Sequence, residues 1–361
     1  MKKIIVAILT LSMILVLITG CGGGSSAGNA STGGNASASG DDDTVYEVVF
    51  SSQEVDSSVH SRIAIELWAN KIEEATNGRV KFVYYWGSSI SGVPELLDNL
   101  ESGAVDAAWA ATSAYAGRYT ATKGVTLPGL GLIAGADGAE AIWQWLQEEE
   151  PTNERGTLVL AACYPAGDMY ITNNKKEIKV ASDFYGLRLR PLNSAWQAVF
   201  EKLDVVPVSF GMNDTYENIE KNICDGLVQD FVYYSWSRIY EVSQYYLDKP
   251  MSINIGFLYL SPHFLNRLPD DLREIVLSCG GLELSRQAGA MILESQEAMQ
   301  KDIVDNGGII YPATAEISDL LENSFEAGRA DWIKECDARD GYDGQELYDR
   351  LIKVTSPYFG K

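Results

Sequence analysis

Strand patterns and amphipathic helix patterns alternate from residue 46 to residue 111. Strand patterns occupy residues 46–50, 79–86 and 105–111, and helix patterns occupy residues 58–76 and 94–102. The strands are rich in valine, alanine and aromatic residues, whereas the helices carry apolar residues three or four positions apart. Because parallel strands need a crossover connection between them, this order predicts a parallel α/β unit.

The length of the chain favours two domains. A single hydrophobic core rarely serves 361 residues. Further strand patterns lie at residues 157–163 and 169–172, and we expect the chain to cross into a second domain near Gly167. A helical pattern runs almost unbroken from Asp270 to Asp305, well beyond an average helix. A helix of that length is suited to bracing two domains.

A short strand is expected to deliver an arginine to the edge of its sheet. In residues 186–190, Leu187 and Leu189 alternate with Arg188 and Arg190, and Pro191 ends the pattern. In open α/β sheets ligands bind at the carboxyl ends of the strands. A guanidinium matches a carboxylate with two parallel hydrogen bonds, so residues 186–248 are predicted to form half of a carboxylate-binding cleft. The alternative is that Arg190 makes a structural salt bridge.

The N-terminus has the pattern of an export signal. Lys2 and Lys3 precede an apolar run over residues 4–18, which is too short to span a membrane comfortably. Ile18-Thr19-Gly20-Cys21 resembles the bacterial lipobox, which implies a lipoprotein signal peptide over residues 1–20 and lipid on Cys21. The alternative is an ordinary secretory leader. Residues 22–40 have no apolar side chain larger than alanine, and three aspartates follow at residues 41–43. Residues 21–44 are therefore predicted to be a flexible tether.

Several function classes find little support in the composition. A formal charge of −22 argues against nucleic acid as a partner. The cysteines form no CxxC pair, no metal site is expected, and the glycine-rich residues 129–138 lack a dinucleotide-binding pattern, so no cofactor is expected. The sequence has only two histidines, His60 and His263, and surface or helix-capping positions are expected for both. Histidine-based catalysis therefore has little support, and an enzyme is not predicted.

Several motifs, taken in order, resemble the solute receptors of TRAP (tripartite ATP-independent periplasmic) transporters. The family pattern of Gly-Leu-Lys-Ile-Arg, Pro-Val-Pro, Glu-x-Tyr and Val-Asp-Gly resembles residues 186–190, 207–209, 214–216 and 224–226. In the first domain, residues 76–80 and 100–106 resemble the family's Thr-Gly-Gly-Arg-Val and Leu-x-x-Gly-x-Ile-Asp. The resemblance covers about residues 46–332 and implies an α/β fold with two lobes, like a periplasmic binding protein, with connecting strands and one long spanning helix.

The resemblance also implies lobe boundaries. Lobe I is expected to comprise residues 45–166 and 256–295, and lobe II residues 167–255 and 296–335. Residues 336–361 are then expected to form a C-terminal surface extension.

The resemblance further implies which residues bind a ligand. Arg190 corresponds to the family arginine that takes the carboxylate, with Gln229 assisting. In this family the two lobes close on a small organic acid. The other expected contacts are Asn193, Met212, Trp109, Thr112, Gln53 and Met169.

Two departures bear on the ligand. Many members carry another arginine where this sequence has Asp168-Met169, and a proline where it has Asp230. A single arginine balances a single carboxylate, so a monocarboxylate with an apolar or aromatic body is expected rather than a C4-dicarboxylate.

The expected function is that of an extracytoplasmic receptor, anchored to the membrane by lipid on Cys21, that delivers its ligand to the permease subunits of a TRAP transporter. The alternative is a binding lipoprotein of an ABC importer or of a sensory system. A neighbouring gene for a Walker-A ATPase would favour an ABC importer.

Overall fold

The protein is described from a computed structural model, which covers residues 44–115, 117–148 and 152–360. The predicted signal peptide, most of the tether and Cys21 lie outside the described residues. The described strands form two separate sheets, each packed against helices. Each sheet with its helices makes one lobe, so the predicted α/β class and the two-lobed arrangement are confirmed.

The sheet of lobe I has the order β2-β1-β3-β10-β4. Strands β1, β2 and β3 are parallel, as the alternating pattern predicted, whereas β10 runs antiparallel to β3 and β4. Its strands are β1 (Tyr46–Ser51), β2 (Val80–Tyr85), β3 (Ala107–Ala111), β4 (Val159–Asp168) and β10 (Ile253–Leu260).

The sheet of lobe II has the order β11-β9-β5-β8-β6-β7. Strand β6 is parallel to β7 and β8, and β5 is antiparallel to β8 and β9. Its strands are β5 (Tyr170–Asn173), β6 (Arg188–Arg190), β7 (Val206–Pro207), β8 (Gly226–Gln229), β9 (Tyr245–Asp248) and β11 (Ile309–Pro312).

Most helices lie close to the predicted segments. The predicted helix over residues 58–76 is one continuous run in which Ile63–Ala69 is π-helical, between α1 and α2. The helices are α1 (Val59–Arg62), α2 (Asn70–Ala75), α3 (Leu96–Ser102), α4 (Ala136–Glu148), α5 (Ser194–Lys202), α6 (Thr215–Glu220), α7 (Phe231–Trp236), α8 (Pro262–Arg267), α9 (Asp270–Ser278), α10 (Leu282–Asp305), α11 (Ala315–Asp337) and α12 (Gly344–Thr355).

Two strand connections and the helices α10 and α11 link the lobes. Strand β4 ends at Asp168 and β5 begins at Tyr170, while the chain returns to lobe I between β9 and β10. Gly167 has φ 154, and a Cβ added there would lie 2.4 Å from the Cβ of Asp230. The crossing near Gly167 therefore needs glycine for both its conformation and its space.

The long helical pattern is interrupted, which corrects the expectation of one nearly unbroken helix from Asp270. Helix α9 ends at Ser278 and α10 begins at Leu282. Gly281, with φ 100, lies between them, and a Cβ on Gly280 would approach the backbone oxygen of Ala161 to 2.8 Å. The helices thus break where the backbone lies against β4. Of the predicted helix, the part that spans both lobes is α10, which packs on α4 and β4 in lobe I and on α7 and β11 in lobe II.

The C-terminal residues form an amphipathic surface helix. On α12, Leu347 and Leu351 are buried in a core cluster of lobe I, and Tyr348 packs edge-on against Trp332 of α11. The described residues, from 44 onward, belong to one compact unit, so the lobe boundaries stay a prediction. Across the part of the chain that the structure describes, we found no helix with the length and apolarity that crossing a bilayer requires.

Candidate functional site

Arg190 lies where the alternation of its strand predicted. Leu189 is fully buried in the core of lobe II, while Arg188 and Arg190 project from the other face of β6. Because β6 and β8 are parallel, with Arg190 opposite Leu227, Arg190 and Gln229 end at the same edge of the sheet. The strand therefore carries its arginine to the edge where ligands bind in such sheets.

The two arginines of β6 have different partners. Arg188 makes a bidentate salt bridge with Asp225, at 2.7 and 3.1 Å, so the structural ion pair weighed for Arg190 belongs to its neighbour. Arg190 instead donates from Nε to the backbone oxygen of Phe210 at 3.1 Å and stacks on the Phe210 ring, 5.8 Å from its centroid. Its Nη1 is buried and has no hydrogen-bond partner among the described residues.

Desolvation works against the charge on Arg190. Burial lowers the pKa of its guanidinium, and the nearby Tyr233 opposes that change. Arginine keeps its proton under all ordinary conditions, so the result is a half-buried cation with one buried, unused donor. An anion would offset the desolvation.

Gln229 contributes a second unused atom. It is 5% exposed, and its Oε1 finds no hydrogen-bond partner in the described chain. Its neighbour Asp230 is equally buried and caps α7 by accepting a hydrogen bond from the backbone N–H of Tyr233 at 2.8 Å. The carboxyl end of β8 thus presents two buried polar side chains, of which Asp230 caps α7.

Lobe I contributes aromatic rings. Trp109 of β3 is 3% exposed and stacks on His60, with ring centroids 4.4 Å apart. His60 in turn stacks on Tyr164 of β4 at 6.0 Å. Gly256 of β10 makes room for the indole, since a Cβ there would lie 2.9 Å from Trp109 Nε1.

The surface or capping position expected for His60 is wrong, because its side chain is 5% exposed. Burial lowers its pKa to about 3, so the ring is neutral and packs as an aromatic body. The apolar stripe that the sequence showed for this helix did not mark His60 as part of the buried face.

Of four other predicted ligand contacts, three have hydrogen-bond partners within the protein and one lies in the hydrophobic core. Thr112 donates to Asn254 at 3.2 Å, and Asn193 caps α5 by accepting from the Trp196 backbone N–H at 3.1 Å. Half-buried Met212 offers its backbone oxygen to the Tyr233 hydroxyl at 3.0 Å. Met169 is fully buried in the core of lobe II. Ligand contacts by these residues stay predictions.

Half-buried Gln53 follows β1, and the next residue is an acid that sequence analysis missed. Glu54 is 6% exposed, and its Oε2 lacks a hydrogen-bond partner within the described residues. Its pKa is raised to about 7 by burial and by the charge of Asp230 across the two lobes. Its place at the carboxyl end of a parallel strand was the available signal.

Glu54 belongs to a chain of buried carboxyl groups. Burial raises the pKa of Asp230 to about 7, with a contribution from Asp168. Burial also raises the pKa of Asp168 to about 6, against hydrogen bonds from the Ala134 backbone N–H and the Gln296 side chain. Gln296 of α10 thereby ties the spanning helix to the crossing between β4 and β5.

Among the described residues there is no candidate metal site, and one surface groove lies apart from the predicted site residues. No cluster of three or more histidine, cysteine or acidic side chains in residues 44–115, 117–148 and 152–360 could hold a metal ion. Cys163, Cys224, Cys279 and Cys336 are all buried. A groove of about 450 Å³ between residues 127–130 and α11 contains none of the predicted site residues in its lining.

Comparisons with known proteins agree with this architecture. The model of the bacterial extracellular solute-binding proteins, family 7, matches residues 50–331. An uncharacterized protein of Haemophilus influenzae is 24% identical over 307 residues, which are 77% of this chain and 87% of that protein.

Two solved structures share the fold. A marine metagenome TRAP solute-binding protein specific for aromatic acid ligands, crystallized with 3-hydroxybenzoate, superposes with a TM-score of 0.81 at 20% identity, covering 88% of this chain and 100% of that one. A TRAP solute-binding protein from Rhodoferax ferrireducens with copurified benzoate gives a TM-score of 0.80 at 21% identity, covering 87% and 98%. This chain belongs to family 7 of the bacterial extracellular solute-binding proteins, the solute receptors of TRAP transporters.

Proposed function

We propose that this protein captures a small organic acid by its carboxylate outside the cytoplasm and delivers it to the permease subunits of a TRAP transporter. The observation that carries the proposal is the buried Nη1 of Arg190, at the strand edge of lobe II, which has no hydrogen-bond partner in the part of the chain that the structure describes. Transport by solute binding rather than catalysis is the role of the family to which the chain belongs.

The physical reason is charge compensation. An isolated buried charge costs several kcal/mol, and a carboxylate that accepts two parallel hydrogen bonds from a guanidinium offsets much of that cost. Arg190 already uses Nε on Phe210. Its Nη atoms are therefore the donors that a carboxylate would accept from.

The proposal includes closure of the two lobes on the ligand, which the placement of the site residues supports. Arg190 and Gln229 come from lobe II, while Glu54 and Trp109 come from lobe I. A ligand that touches both sets gains contacts only when the lobes approach, so it shifts the equilibrium between open and closed forms toward the closed form.

The surroundings favour a monocarboxylate with an aromatic body. The Phe210 ring stacks on Arg190 in lobe II, and Trp109 and His60 stack on each other in lobe I. The marine receptor binds 3-hydroxybenzoate and the Rhodoferax receptor carries benzoate, and both ligands are of this class.

Receptors of this family are periplasmic. We propose that lipid on Cys21 anchors this one to the membrane. Palmitate labelling in a bacterial host should mark the wild type and leave Cys21→Ser unlabelled, and label on Cys21→Ser would exclude this cysteine.

The test of the carboxylate site is Arg190→Ala. Calorimetric titration with benzoate, 3-hydroxybenzoate and mandelate should show binding by the wild type and a loss of about 100-fold or more in the variant, because hydrogen bonds to a charged group contribute about 1.5–3 kcal/mol each.

The matched control is Arg188→Ala, which removes a guanidinium from the same strand. It breaks the pair with Asp225, so its melting temperature should fall while its affinity stays near that of the wild type. A folded Arg190→Ala protein that binds as tightly as the wild type would refute the proposal.

A further inference from the structure

Five side chains of the candidate site have a buried polar atom without a hydrogen-bond partner among the described residues. They fall into two chemical kinds, donors and acceptors. Arg190 Nη1 and Trp109 Nε1 are donors, Glu54 Oε2 and Gln229 Oε1 are acceptors, and neutral His60 can serve as either through Nδ1. Buried polar atoms in folded proteins are nearly always paired, so a ligand that pairs this set needs both acceptors and donors.

A carboxylate on the ligand pairs only with the hydrogen-bond donors of this set. Its two oxygens accept hydrogen bonds, which suits Arg190, but an ionised carboxylate has no hydrogen to offer Glu54. At a pH above about 7, where Glu54 is ionised, a simple aromatic acid would therefore offer no hydrogen bond to Glu54 Oε2. The penalty for leaving a buried polar group unpaired is the usual basis for strong discrimination between ligands that differ by one polar group.

The acidic groups around Glu54 also favour a hydrogen-bond donor on the ligand. Glu54 of lobe I and Asp230 of lobe II lie close enough for the charge of Asp230 to act on Glu54, and Asp168 acts on Asp230 in turn. A bound carboxylate would add one more negative group to a site where Arg190 is the cation at the strand edge. A hydroxyl or ammonium hydrogen directed at Glu54 relieves that crowding.

We infer that the ligand of this receptor carries, opposite its carboxylate, a hydrogen-bond donor that Glu54 accepts. The inference rests on the proposed function, because it takes the carboxylate to lie at Arg190. The donor is a hydroxyl or an ammonium group, and Glu54 is the residue that determines specificity.

Matched ligands test this directly. Calorimetric titration at pH 8 should compare benzoate, which has no donor, with 3-hydroxybenzoate, 4-hydroxybenzoate and 4-(aminomethyl)benzoate. We expect at least one donor-bearing acid to bind the wild type tenfold or more tightly than benzoate. A preference for the amine assigns an ammonium partner to Glu54, and a preference for a phenol assigns a hydroxyl.

Variants then locate the effect. Glu54→Gln should reduce the preference for the donor-bearing acid to within about threefold, and Glu54→Asp should keep part of it because an acceptor remains. Asp56→Asn, which removes an exposed acid from the same loop, should leave the preference unchanged. Circular dichroism would confirm that each variant is folded.

The outcomes separate this inference from the proposed function. If benzoate binds as tightly as the donor-bearing acids, or if Glu54→Gln keeps the full preference, the inference is overturned while loss of binding in Arg190→Ala still supports the carboxylate site. If the wild type binds none of these acids at millimolar concentration, both are overturned.

Discussion

At the scale of single residues, two arginines on one short strand differ because of their partners. Arg188 faces Asp225, which also accepts from Lys175 at 3.2 Å, whereas the Nη1 of Arg190 is buried without a partner in the described structure. Burial alone would raise the pKa of Asp225, but hydrogen bonds from Arg188 and Lys175 outweigh it, and the pKa is lowered. Asp225 thus stabilises the strand, and Arg190 is left available for an anion.

Asp225→Asn should therefore destabilise the protein without affecting binding. Loss of the charge weakens the bidentate pair and the Lys175 contact, which we expect to lower the free energy of unfolding by about 1–3 kcal/mol. Urea denaturation measures that change, with Glu220→Gln on the exposed face of α6 as control. Reduced ligand affinity at unchanged stability would contradict this assignment.

At the scale of elements, close packing between α10 and α4 holds lobe I against the spanning helix. Gly289 lies in the middle of α10, and a Cβ there would come within 2.2 Å of the backbone oxygen of Gly135 and 2.9 Å of the Cβ of Ala139. The short distance between the helices therefore requires glycine at position 289, although alanine has the higher helix propensity.

Gly289→Ala tests this packing. Propensity alone would stabilise the helix by about 1 kcal/mol. We expect instead a net loss of about 1–3 kcal/mol, because the added methyl group must push α4 away. Ala290→Ser adds an atom at an exposed position of the same helix and should change the melting temperature little. A more stable Gly289→Ala protein would mean that the two helices are not held this closely in solution.

At the scale of the whole molecule, acids of both lobes meet across the cleft. Glu54 and Asp230 have pKa values raised to about 7 by burial, so each binds more protons in the folded protein than in the unfolded chain. Their contribution to stability is then present at low pH and is lost as the pH rises through about 7.

The melting temperature of the ligand-free protein should accordingly fall as the pH rises from about 4.5 to about 7, and level off above that, because the folded protein holds extra protons only between the unfolded and folded pKa values. In the double variant Glu54→Gln, Asp230→Asn the fall should be smaller, since Asn still caps α7 and neither side chain titrates. Asp168, with a pKa of about 6, remains in the double variant and keeps part of the pH dependence of the melting temperature. The control Asp56→Asn should show the same pH dependence of the melting temperature as the wild type. Equal slopes in wild type and double variant would show that these carboxyl groups ionise freely.

The sequence alone determined the class of fold and the position of its main arginine. Periodicity places the parallel strands of lobe I and the outward face of β6, because alternation and helix spacing are local properties of the chain. The break between α9 and α10 was missed because it depends on the approach of Ala161, which is remote in sequence.

Only the tertiary structure decided which polar groups share the cleft. Glu54, His60, Asp168 and Asp230 are ordinary residues in their own segments, and their burial and altered pKa values arise from packing between elements far apart in the chain. The strand ends fixed by local sequence marked where a site could form. Packing around each side chain decided which of these groups lose their water and which have a partner among the described residues.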